Sequence, residues 1–141
     1  MKKLVLAVVV LASTRVFADQ TPADEIAAHS GLPASEVNAL LADCESNQTS
    51  MNFCAWRDRI VAERELQRVV DSRDSEHPDG KAVLDERIAR WKKARDTACE
   101  QSARKEWGDG SMRPTAQTIC VTAATKAMVK KLSATPGHKP H

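Results

Sequence analysis

Cys44, Cys54, Cys99 and Cys120 are open to three chemistries: disulfide bonding, metal ligation and thiol catalysis. The intervals between them are nine, forty-four and twenty residues. Neither the close CxxC pair of a redox enzyme nor the paired ligands of a zinc site is present. An even count in a small chain with an export-type N-terminus predicts two disulfides. His29, His77, His138 and His141 are read as loop and tail residues, and no HExxH motif exists. Asp85/Glu86 and Glu63/Glu65 fall on charged helix faces, without the pattern of a desolvated acid/base pair. No Gly-rich phosphate loop and no GxSxG elbow occurs. The expectation is a binding protein with no cofactor and no metal, not an enzyme.

Two further constellations carry chemistry of recognition or packing. Arg95-Asp96 follows Trp91 by one helical turn and precedes Cys99. A guanidinium on an apolar stripe must pair or reach water, and Asp58 on the preceding helix is the expected partner. The second is the loop WGDGSMRP, with Trp107, Asp109, Gly110, Ser111, Met112 and Arg113 as the candidate contact residues. Trp and Arg dominate interaction hot spots, and loops carry function more often than helix interiors. Trp107 either folds back as a lid on the helices or stands free as a contact.

These residues need elements to hold them. Pro22 can start a short helix that Gly31 ends, and Ser35 can cap a second one before Val37, Leu40 and Leu41. This pair (19–43) resembles a helix-turn-helix, but it carries no Lys or Arg for phosphate contact. Residues 49–74 form the strongest helix: Met51, Ala55, Ala62, Leu66 and Val69 share one face, and Phe53, Trp56 and Ile60 widen it. Arg57, Arg59, Glu63, Arg64, Glu65 and Arg68 cover the rest. A polar loop around Pro78 leads to a helix over 81–105 with a stripe of Leu84, Ile88, Trp91, Arg95 and Ala98. A last helix begins near Thr115 and carries Val121, Ala124, Met128 and Leu132; the residues after it, 133–141, form a polar, Pro-containing tail. No alternating strand pattern appears. The fold expected is an all-α antiparallel bundle: a long hairpin, a third helix and a short N-terminal pair.

Three disulfide pairings are possible, and the hairpin discriminates between them. With equal rise along both helices and a turn near Pro78, facing residues have numbers that sum to about 156. Cys54 then meets Cys99, which leaves Cys44 for Cys120.

Met1–Ala18 reads as a signal peptide: Lys2 and Lys3, a nine-residue apolar run from Leu4 to Ala12, and small residues at Val16 and Ala18 before a cut at Asp19. The run is too short to span a bilayer, so no membrane anchor is expected after cleavage. Removing Lys2, Lys3 and Arg15 leaves 18 basic against 19 acidic residues. That balance, with 4% aromatic residues, excludes a nucleic-acid binder. A periplasmic or secreted protein is expected. Asn47-Gln48-Thr49 matches a glycosylation sequon, a pattern common by chance.

The run from Cys44 to Leu132 resembles the LprI-like lysozyme-inhibitor domain of exported bacterial proteins. The pattern is Cys44 and Cys54 with Met51-Asn52 between them, then Glu65-Leu66, Trp91, Arg95-Asp96, Cys99, Gly110-Ser111 and Cys120. Gln67 and Val70 stand where an Asn and a Tyr are often seen in the family. The resemblance implies a helical, disulfide-stapled binding protein whose partner is a lysozyme or a peptidoglycan-hydrolase toxin. A cell-envelope interaction module without inhibitory activity is the competing reading.

Overall fold

The computed structural model describes residues 20–134. The proposed signal peptide and most of the tail lie outside them. Among the described residues five α-helices follow one another: α1 (Pro22–Ser30), α2 (Ala34–Ala42), α3 (Gln48–Glu76), α4 (Lys81–Trp107) and α5 (Arg113–Ala134), with a 3-10 turn at Pro78–Gly80. No strand occurs among the described residues, and none of their helices is long and apolar enough to cross a membrane. The all-α bundle is as expected, and the helix ends follow from local chemistry.

Thr21 and Asp24 form a capping box at the start of α1, with Pro22 in the first turn. Gly31 ends α1 at φ 75°, a conformation that costs a residue with a Cβ about 1 kcal/mol or more. His29 belongs to the last turn of this helix, not to a loop. α2 begins two residues earlier than a Ser35 cap would place it: Pro33 occupies the cap position and offers no side-chain acceptor. Asn47 caps α3, its side-chain oxygen accepting from the Ser50 amide at 2.9 Å. The sequon asparagine is thus a working helix cap.

α3 and α4 form the long hairpin, and α5 packs back along both of them. Lys81 closes the turn, bonding Asp74 at 3.0 Å and Asp85 at 2.7 Å. Two apolar clusters lie at opposite ends of α3. Ala23, Ile26, Val37 and Ile60 seat the α1–α2 pair, with Phe53 and Trp56 packed alongside. Leu66, Val70, Ile88 and Leu132 join the three long helices near the turn, with Leu84, Trp91 and Met128 around them. On α4 the buried stripe runs Ile88, Arg95, Cys99, Ala103. Ala98, assigned to that stripe by its spacing, is exposed.

The disulfides correct the pairing derived from the hairpin. Cys44 is bonded to Cys54, with Cα atoms 5.8 Å apart, and Cys99 to Cys120, with Cα atoms 5.6 Å apart. Cys54–Cys99 and Cys44–Cys120 are not formed. The hairpin register is close to the expected one, since Arg95 meets Glu63 across it. A two-helix construction omits α5, however. A cystine needs Cα atoms within about 7 Å, and the positions of α5 and of the turn after α2 decide which pairs meet this. α5 brings Cys120 to Cys99 on the α4 side, while the turn after α2 brings Cys44 back to Cys54. One bridge therefore locks the N-terminal pair to α3, and the other locks α5 to α4.

Candidate functional site

The bundle's polar centre is Arg95, whose side chain is 3% exposed. Its Nη1 donates to Glu63 Oε1 at 2.6 Å and to Thr125 Oγ1 at 2.8 Å, and its Nε donates to Asp96 Oδ1 at 2.8 Å. The guanidinium carbon lies 5.1 Å from the centre of the Trp91 ring. Thr125 is itself satisfied, donating to the Val121 carbonyl at 2.7 Å. One side chain on α4 thereby ties α3 and α5. The partner is Glu63, not Asp58. Asp58 lies more than one turn earlier on α3 and pairs with its neighbour Arg57 at 3.0 Å.

Glu63 is also bound by Lys92 at 3.2 Å. Burial pushes the Glu63 carboxyl upward, but Arg95 and Lys92 together outweigh it and hold the group below its ordinary value of 4.5. Its sign for stability follows. The pairing contributes fully above about 4.5 and is lost as pH falls through the lower folded-state value. Glu63→Gln should therefore flatten the acid limb of a stability-against-pH curve and lower stability most at neutral pH. Chemical denaturation of both proteins between pH 3 and 7 measures this.

The WGDGSMRP segment is shorter as a loop than its sequence suggests. Trp107 is the last residue of α4, and Arg113 and Pro114 open α5. Gly108 leaves the helix at φ 55°. Trp107 does not fold back as a lid: it is 42% exposed. Asp109, Gly110 and Ser111 are exposed, and Met112 is half-buried. Arg113 turns inward to the loop, donating to Asp109 at 2.7 Å and to the Gly108 carbonyl at 3.3 Å. Gln48 at the start of α3 donates to the Ser111 carbonyl at 2.8 Å. The loop is thus pinned from both sides, and the Cys99–Cys120 bridge joins the two helices that flank it. Gly110 has a steric reason to be glycine, because a Cβ there would stand 2.9 Å from the Trp107 carbonyl oxygen. Gly110→Ala should cost about 1–2 kcal/mol through that clash, read as a lower urea midpoint with an unchanged slope.

A second surface was not singled out by residue type. Two open pockets adjoin along α3 beside the loop, sharing Trp56 and Arg59 in their lining, and together make a groove of two halves. The half toward the loop adds Asn52, Thr115 and Thr118 in about 270 Å³. The half toward α1 adds Glu25, Glu63, Arg64, Gln67 and Lys92 in about 370 Å³. Trp56 is held by tilted ring contacts to Phe53 at 6.0 Å and His29 at 6.4 Å. Thr115 donates its hydroxyl to Asn52. Arg64 is paired with Glu25 at 2.6 Å. Arg59 is half-buried and makes no hydrogen bond or ion pair among the described residues. The cause is tertiary. Its natural i+4 partner is Glu63, and Arg95 and Lys92 of α4 hold that carboxylate instead. No signal in the one-dimensional pattern distinguishes Arg59 from the paired arginines around it.

Among the described residues no group of three or more His, Cys, Asp or Glu is placed to hold a metal ion. The described residues thus make a cystine-locked helical scaffold that displays a braced loop and an open groove. The family model described as "Lysozyme inhibitor LprI" matches residues 42–132, 91 of the 141 residues, and the chain belongs to that family. No curated protein and no solved structure matches it.

Proposed function

We propose that the protein is an exported inhibitor of a peptidoglycan hydrolase of the lysozyme class, acting in the periplasm or outside the cell. The observation that carries this reading is the family match across both disulfides and all three long helices. Residues 1–18 serve as the export signal, 19–43 as a helical extension, 44–132 as the inhibitory domain and 133–141 as a tail. The target is a host lysozyme or a hydrolase toxin delivered by a rival cell.

Inhibition of this kind requires no catalytic residue on the inhibitor. Glycosidases cleave between two carboxyl groups in a cleft, and a rigid protein that covers the cleft stops the reaction. Rigidity favours such binding because little ordering entropy remains to be lost. The contact surface proposed is the loop after α4: Trp107, Asp109, Gly110, Ser111 and Met112, with Arg113 holding its shape. Capture of lysozymes by the immobilised oxidised protein, followed by a cell-wall lysis assay, tests the reading. Binding with protection supports it. Binding without protection marks the protein as an envelope interaction module, and cleavage of cell wall by the protein itself contradicts it. Against a captured target, Trp107→Ala/Arg113→Ala should weaken affinity at least tenfold; unchanged affinity removes the loop from the interface.

A further inference from the structure

The geometry points to a second binding site, for a saccharide bearing a single carboxylate, in the groove along α3 at Trp56 and Arg59. This goes beyond inhibition and does not depend on the loop.

Within the groove, Glu25 is answered by Arg64 at 2.6 Å, and Glu63 by Lys92 at 3.2 Å and Arg95 at 2.6 Å. Arg59 alone lacks a counter-charge there, while lining both halves of the groove. A half-buried guanidinium is a planar fork of donors suited to a carboxylate. One unmatched positive charge beside two acidic side chains selects a monoanion. A phosphate dianion or a polyanion would meet the Glu25 and Glu63 carboxylates.

Shape and lining then select the body that carries the carboxylate. Trp56 lines both halves with its indole, and the ring is in tilted contact with Phe53 and His29. Asn52 and Thr118 on one side and Gln67 on the other place neutral amides and a hydroxyl along the same groove. An apolar ring face edged by hydroxyls and amides is what a sugar ring presents in return. The half-groove of about 370 Å³ lies within the usual range of small-ligand sites, about 300–1,000 Å³. An amino sugar with an acidic substituent fits all three requirements, and N-acetylmuramic acid is the natural probe for an envelope protein.

The test uses the full oxidised chain and its three tryptophan indole N–H signals in solution NMR. Titration with N-acetylmuramic acid should shift the Trp56 signal saturably and leave Trp91 and Trp107 in place. N-acetylglucosamine, which lacks the carboxylate, should bind at least tenfold more weakly. Acetate, which lacks the ring, should also bind at least tenfold more weakly. Arg59→Gln should reduce the acid sugar to the level of the neutral one. Because Arg59 has no partner to lose, that variant should melt with the parent protein. Equal binding of the two sugars, no binding of either, or a shift centred on another tryptophan would overturn the site. So would competition by a short acidic peptide as strong as the sugar acid, which would make the groove a peptide site. Sugar binding and hydrolase inhibition are read separately, so failure of one leaves the other standing.

Discussion

Arg95→Ala should lower the stability of the protein by about 3 kcal/mol, a fall in Tm of roughly 10 °C for a domain of this size. The loss has three parts. Thr125, fully buried, loses the donor that fills its hydroxyl oxygen. Glu63, whose side chain is 25% exposed, keeps only Lys92. The cation stacked at Trp91 disappears and leaves a space between α4 and α5. Removing one member of a buried pair costs more than removing both, because the survivor stays desolvated. Arg95→Met/Glu63→Met should therefore recover much of the loss. Thermal and urea unfolding of the two variants check this. A cost below about 0.5 kcal/mol for Arg95→Ala would show that the knot is a surface pair in solution.

Breaking the Cys99–Cys120 bridge should have a comparable effect. Its loop of 21 residues corresponds to about 3 kcal/mol of unfolded-state constraint in the chain-entropy model. Cys99→Ser/Cys120→Ser should show that loss and should also loosen the loop after α4, since the bridge anchors α5 just beyond it. The Cys44–Cys54 bridge spans a separation of only 10, so Cys44→Ser/Cys54→Ser should cost somewhat less. The pairing itself is checked by peptide mapping without reductant. Linked fragments containing Cys44 with Cys54 and Cys99 with Cys120 are expected. A Cys54–Cys99 fragment would return the molecule to the two-helix arrangement.

How far these features can be read from sequence depends on how local they are. Gly31, Asn47 and the Pro78 turn act within a few residues, and the helices they bound lie close to where the patterns place them. The segment from Trp107 to Pro114 is harder, because helix-compatible residues flank only two glycines, and α4 and α5 each extend into it. Arg95 is recognisable as a charge needing a partner; choosing Glu63 over Asp58 requires the register to better than one turn. The cystine pairing requires knowing where α5 lies, which no periodicity within α3 and α4 contains. Arg59 is the extreme case. It stands out only after α4 has claimed Glu63.

Occlusion of a hydrolase by a rigid partner is tested most directly by titration. The rate at which a susceptible lysozyme clears a cell-wall suspension is followed while the oxidised protein is added in measured amounts. Stoichiometric occlusion makes the rate fall in a straight line and reach its floor near one equivalent, with the protein recovered intact. A rate unchanged in tenfold excess against every lysozyme it captures would contradict inhibition.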